Sequence, residues 1–221
     1  MKLALTSQVH VKKVYLRGLA LLVLMLSGCA AFQTGTEMQA GRLALITGKP
    51  QVALTHFNRA AELDPDYHTG FVILREGVWT YVGRASYETE NYAAARQALE
   101  RASARYSNDH LAKLYLGLTL VREGNRQRGL KEMEAGMRGI HDQLEDFTQS
   151  FRFSGGRFWD RKREIRSAIQ SDLAMLDGKE LDVQKLIANG EWLGKRVEEE
   201  IDIARRDEGE ELFREGAGRQ P

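Results

Sequence analysis

The feature that most restricts the fold of this chain is a spacing of small, aromatic and chain-breaking residues that recurs along its first two thirds. In "AGRLALITGKPQVALTHFNRAAELDP", residues 40–65, Gly41, Gly48, Ala53, Phe57, Ala60 and Pro65 stand 7, 5, 4, 3 and 5 residues apart. Such a spacing describes two helices folded into a hairpin. Gly41 and Ala53 fall where the helices touch, and a large side chain there would force them apart. Gly48 falls in the turn, where a positive φ is cheap only for glycine. Phe57 fills the space between neighbouring hairpins, and Pro65 stops the second helix.

The pattern returns twice. A second copy, "WTYVGRASYETENYAAARQALERASARYS" (79–107), is led by Trp79, Val82 and Gly83, with Tyr92, Ala95, Leu99 and Ala102 following. Glu90 stands where the turn glycine would be, and Ser107 replaces the proline. A third copy begins at His110, with Leu116, Gly117, Leu120 and Gly124 in its first helix and turn. Its second helix carries Gly129, Met133 and Gly136 at the Ala, aromatic and Ala positions, and is expected to form but to pack loosely. The copies cover about 34–67, 76–109 and 110–143, so eight extra residues, "HTGFVILR" (68–75), separate the first two. They read as an extended first helix or an added turn.

The small, Gly, Ala, aromatic, Ala, Pro order resembles the tetratricopeptide repeat. The resemblance implies an all-α fold, an antiparallel helical-hairpin solenoid of about three repeats. Three repeats leave an apolar face open at each end, so capping helices are expected after them. The region 144–206 fits that role. Phe and Arg alternate around Ser154, Gly155 and Gly156, a short hairpin or ordered loop. Ile165, Ile169, Leu173 and Leu176 then mark one helix face, ended at Gly178. A short helix from Leu181 to Asn189, stopped at Gly190, and another through Leu193, Val197, Ile201 and Ala204 follow. Residues 207–221 read as a frayed tail.

The N-terminus has a different logic. Lys12, Lys13 and Arg17 precede the apolar "LALLVLML" (19–26), and small Ser27 and Gly28 precede Cys29, the one cysteine of the chain. Basic, apolar and small segments in that order describe a secretory signal. Its apolar stretch, 14 residues from Leu19 to Phe32, is shorter than the roughly 20 residues a spanning helix needs. "LSGC" resembles the bacterial lipobox. That resemblance implies cleavage of residues 1–28 and acylation of Cys29, whose thiol accepts the lipid. Ala30, not Asp, follows the cysteine, which in such lipoproteins implies an outer-membrane anchor facing the periplasm. An uncleaved single-span anchor is the alternative.

With one cysteine, no internal disulfide or multi-cysteine metal site is available. Without residues 1–28 the chain keeps 28 basic against 31 acidic residues, so its charge gives no reason to expect nucleic acid. His56, His68, His110 and His141 lack metal-ligand spacing, and no nucleophile elbow or phosphate loop occurs. The expectation is a binding protein, not an enzyme, with no metal and no cofactor beyond the lipid at Cys29. Glu198, Glu199 and Glu200 read as solvated charge.

In tetratricopeptide proteins the first helices line a concave groove. Carried over by position, that groove would hold Met38, Arg42 and Leu45, then Thr80, Arg84 and Tyr87, then Leu114 and Leu118. The Lys and Asn pairs of carboxylate-clamp members are missing, so capture of a C-terminal carboxylate is not implied. "LAKLYLGLTLV" (111–121) is apolar nearly all round and must be buried. Either the C-terminal helices or a partner helix lies over it; the first is expected, leaving Arg42, Arg84 and Tyr87 accessible. Arg152, Arg157, Arg161, Lys162 and Arg163 lie among Phe151, Phe153, Phe158 and Trp159. They form a candidate contact for an anionic surface, or else solvated cations over core aromatics. Together these readings describe a lipid-anchored periplasmic adaptor that holds protein partners of an envelope assembly. An envelope enzyme with a C-terminal site, and a membrane- or peptidoglycan-associated structural protein, are the alternatives. Cys29→Ser should abolish lipid labelling and either release the protein or block its processing. Metabolic labelling and the mature mass report this, and unchanged membrane retention and size would refute the lipobox reading.

Overall fold

The computed structural model describes residues 32–68, 73–74, 76–153, 155–178 and 180–217, with side chains 205, 208, 209 and 211–217 excepted. Cys29 and the segment before it lie outside the described residues. Helix α1 covers residues 32–46. It is followed by α2 (Pro50–Leu63), α3 (Val78–Glu88), α4 (Tyr92–Arg105), α5 (His110–Arg122) and α6 (Arg126–Ser150). A 3-10 turn (Gly155–Phe158) leads to α7 (Glu164–Leu176) and α8 (Val183–Ala217). The described residues are all helical apart from turns, loops and one isolated bridge between His68 and Gly77.

Three turns of identical construction reverse the chain between α1 and α2, α3 and α4, and α5 and α6. Each has three residues, and its middle residue is left-handed: Gly48 at φ 69°, Glu90 at φ 60° and Gly124 at φ 89°. In each, the last turn residue donates its N–H five residues back, Lys49 to Ala44, Asn91 to Ser86 and Asn125 to Leu120. The middle residue donates three back, Gly48 to Leu45, Glu90 to Tyr87 and Gly124 to Val121. This closes the orphan carbonyls of the first helix in the Schellman manner. Glu90 tolerates the strained φ because the same bonds hold it. The links between hairpins also match. Asp64 and Tyr106 each end a helix in extended conformation and donate to a carbonyl four residues back.

The extra residues between the first two hairpins do not extend α3, which begins at Val78. Residues 69–72 and 75 lie outside the described residues. The ends of the excursion meet at the His68–Gly77 bridge, and Ile73 and Leu74 are buried in the core.

Packing follows the small residues. A Cβ on Gly41 would strike the ring of Phe57, and one on Gly83 would strike Leu99. Phe57 also meets Tyr81 of the next hairpin, ring centroids 5.0 Å apart, so it bridges neighbours as expected. The third hairpin corrects its expectation. A Cβ on Gly117 would lie 2.5 Å from the Met133 backbone N, and one on Gly136 would lie 2.5 Å from the Leu114 N. Glycine in place of alanine brings α5 and α6 backbone to backbone, with Met133 and Met137 fully buried between them. The hairpin packs closely, not loosely.

Helix α8 is a second correction. It runs unbroken through Gly190 and Gly194 and continues to Ala217, past residue 207. Gly190 does not stop a helix. It lets α8 settle onto α5, where a Cβ would lie 3.1 Å from Leu118. A Cβ on Gly194 would collide with the Tyr115 ring.

These glycines separate two kinds of substitution. Gly136→Ala should destabilise by about 1–3 kcal/mol, because the obstructing atoms are backbone. Gly35→Ala, with nothing within 4 Å of its Cβ, should be neutral or stabilising by up to about 1 kcal/mol. Urea denaturation midpoints check both; equal effects would refute the close-approach account.

Candidate functional site

The inner faces of α1, α3 and α5 form the surface expected to bind a partner. In the structure α8 lies on that surface. Arg84, only 1% exposed, donates from Nη1 to Glu198 Oε2 (2.7 Å) and from Nη2 to the Gly194 carbonyl (3.2 Å). Arg42, 3% exposed, donates through Nε to the other Glu198 oxygen and through Nη2 to Asp202 Oδ1 (2.9 Å). Glu76 stands 3.5 Å from Arg84 Nη1. The Arg84 guanidinium also lies 5.4 Å from the Tyr81 ring and 5.1 Å from the Tyr115 ring. Further along, the Tyr87 hydroxyl donates to Glu191 Oε1, and Arg122 donates to both, 3.2 and 2.8 Å away.

This overturns the expectation that Arg42, Arg84 and Tyr87 are accessible. Leu114 and Leu118 are fully buried in the main core, with α8's Gly190 against both. Their coverage by a C-terminal helix is as expected. Met38 and Thr80 do not face the groove. Met38 belongs to the core around Phe57 and Tyr81, and the Thr80 hydroxyl donates to Asp109, the N-cap of α5. Glu198 and Glu200 are buried ion-pair partners, not solvated charge.

The sequence offered one signal for this arrangement. Glu191, Gly194, Glu198 and Asp202 fall at helical spacing on one stripe of α8. The carboxylates match Arg122, Arg84 and Arg42, and the glycine makes room for Tyr115.

Burial is uneven in its effect on the two central carboxylates. Burial, and then the neighbouring Glu198 charge, push Glu76 up to about 8. Burial also opposes ionisation of Glu198, but Arg84 and Arg42 outweigh it, and its carboxyl sits below the ordinary range. A neutral Glu76 thus stands beside the Arg84 guanidinium, while Glu198 and Asp202 balance the charges of Arg84 and Arg42.

Groove and α8 do not close everywhere. At the end carrying the hairpin turns a cleft of about 700 Å³ remains. Leu45, Ile46 and Tyr92 wall it on the hairpin side, with Trp192 and Lys195 on the α8 side and Glu88 at the rim. Trp192 is an exposed large apolar side chain. Of the residues expected to bind a partner, Leu45, Arg84 and Tyr87 line this cleft, and Trp192 and Lys195 were not anticipated.

A second buried cluster ties the C-terminal region together. Asp160 accepts from the backbone N–H groups of Ile165 and Arg166, capping α7, and from Arg166 Nε (2.8 Å). Glu200 of α8 accepts from the Asp160 N–H and from Arg196. Phe158 and Trp159 are core, while Phe151 and Phe153 are exposed. Arg152, Arg157, Arg161, Lys162 and Arg163 are all exposed, and Arg163 lies 3.3 Å from Glu145.

Among the described residues no group of three His, Cys, Asp or Glu side chains converges as a metal site, and no helix is long and apolar enough to cross a membrane. Comparison of the chain with protein-family models, curated proteins and solved structures finds no match.

The Glu76 shift has a definite sign. Its folded value lies above its ordinary 4.5, so the native state holds a proton that the unfolded chain releases. That contribution is complete below pH 4.5 and is lost as pH rises through about 8. Glu76→Gln should therefore flatten the fall in stability across this window and leave the variant the more stable protein at its alkaline end. Denaturation midpoints measured from pH 5 to 9 test this; parallel curves for both proteins would refute it.

Proposed function

We propose that this chain is a lipid-anchored adaptor of the bacterial cell envelope, built on tetratricopeptide-type hairpins and attached through Cys29 to the outer membrane, facing the periplasm. Three turns with one hydrogen-bond pattern, 42 and 34 residues apart, support the repeat reading. The order of basic, apolar and small residues before Cys29 supports the anchor. Anchoring raises the local concentration of the adaptor for partners at the same membrane.

The observation that carries the binding function is the open cleft at the turn end, with Trp192 beside an otherwise filled groove. Its volume admits several side chains of a protein partner. The cleft lining mixes apolar Leu45, Ile46 and Tyr92 with charged Glu88, Glu90 and Lys195, and an exposed tryptophan at such a mouth is the residue type that most often dominates a protein interface. Binding at this cleft leaves the α8 ion pairs intact. The role is recognition, with no chemical step and no cofactor besides the lipid.

A photo-crosslinking residue placed at Trp192 should give a discrete protein adduct in intact envelopes. The same residue at Glu134, on the outer side of α6, should give none. With the partner in hand, Trp192→Ala should weaken binding about thirtyfold or more, the loss typical of a central interface tryptophan. Adducts of the same pattern from both positions, or from neither, would overturn the reading.

A further inference from the structure

The turn that ends α6 presents two aromatic side chains to solvent. Phe153 is 82% exposed and Phe151 48%. The turn is closed by the Gly156 N–H donating to the Phe151 carbonyl (3.0 Å). The Arg152 guanidinium lies 4.5 Å from the Phe153 ring. Arg157, which lies 4.8 Å from the Phe158 ring, Arg161, which stands 3.7 Å from Asp207, and Lys162 follow as exposed cations. A lone exposed phenylalanine needs no explanation, but two at a tight turn, one under a guanidinium and both followed by exposed cations in the chain, form a polarised tip.

Topology sets where this tip points. Helices α1, α3 and α5 start at one end of the array, and α2, α4 and α6 finish there. Gly139 of α6 lies against His110, so it is level with the start of α5. The remaining residues of α6, to Ser150, carry the chain about 16 Å beyond that level. Phe32 begins α1 two residues farther from its turn glycine than His110 is from Gly124, which adds about 3 Å. Cys29 precedes Phe32 by three residues, an extended reach of up to about 10 Å. By chain length alone, an acylated Cys29 could therefore reach to within a few Å of the tip's height on the same end.

We infer that the tip is a second membrane contact. Phe151 and Phe153 enter the headgroup region, and Arg152, Arg157, Arg161 and Lys162 meet anionic phospholipid headgroups. The inference rests on the lipoprotein reading for its geometry. Two attachment points hold the array upright on the bilayer. The cleft beside Gly48, Glu88 and Glu90 then faces away from the membrane, where a partner can reach it.

The test uses the full lipidated chain in vesicles. Acylation consumes the lone thiol, so Phe153→Cys and Glu90→Cys each accept a single environment-sensitive label. With a lipid-borne quencher, the label at 153 should be quenched severalfold more in phosphatidylglycerol-containing vesicles than in phosphatidylcholine alone. The label at 90 should be quenched in neither. Neutralising Arg152 and Arg157 to Gln should lower the anionic preference about fivefold per residue. A label at 153 as unquenched as that at 90, or one that responds only when an acidic protein is added, overturns the contact. Mass spectrometry of the purified chain reads Cys29 acylation separately. If it fails, partitioning of the Cys29→Ser chain into anionic vesicles, with and without Phe153→Ala, decides the contact alone. Equal partitioning of the two overturns it.

Discussion

The structure depends on one carboxylate, Glu198, held between two buried guanidinium groups. Arg42 comes from the first hairpin and Arg84 from the second, and Glu198 comes from a helix more than a hundred residues later. The apolar core falls into two clusters. One lies around Phe57 and Tyr81, and the other runs from Leu99 through the C-terminal helices. Fourteen residues separate α2 from α3, against four between α4 and α5, so the longest link in the array joins the first hairpin to the second. Through Arg42 and Arg84, Glu198 ties the first two hairpins to each other and to α8. Removing one member of such a buried set leaves an uncompensated charge and typically costs about 3–5 kcal/mol.

Charge also fixes register. Neighbouring residues on a helix are rotated by about 100°, so a slip of one residue would withdraw Glu198 from both arginines. It would also move Gly194 away from Tyr115 and put a side chain in its place. The glycine and the carboxylate are four residues apart, hence on one face. They impose the same register by different physics, one by volume and the other by charge. Apolar stripes alone would tolerate alternative seatings of a long helix on a long groove, and these two residues remove them.

Hairpins, turns and close-contact glycines were legible because their causes are local. Gly48 and Gly124 mark left-handed turns, and even Glu90 was placed at the right position by the spacing around it. The all-helical fold and the burial of α5 followed from patterns within single segments. The role of α8 was not legible in the same way. Gly190 looked like a helix stop because glycine usually is one, and only the approach of Leu118 and Tyr115 shows why two glycines sit inside a continuous helix. Glu198 to Glu200 looked solvated because three adjacent carboxylates usually are. Their partners, Arg42, Arg84 and the Asp160 loop, lie far away in the chain. Groove residues were assigned by analogy of position, which gave Arg42 and Arg84 the correct face and the wrong occupant.

A groove filled by its own chain changes what a partner can do there. To enter beside Leu114 and Leu118, a foreign helix would have to expose an apolar α5 and strip the carboxylates from two buried arginines. Each of those steps opposes binding more strongly than an ordinary interface contact favours it. The groove floor is therefore part of the folding core, and α8 is a structural member of the array as well as its cap. Under the proposed function, recognition falls at the margin where α8 and the hairpins diverge, in the cleft lined by Tyr92 and Trp192. That margin lies at the end opposite the N-terminus of α1, so the attachment and the recognition we propose would occupy opposite ends of the array. A change at either end can then alter one property without disturbing the other, because the buried arginines between them hold the array in a single arrangement.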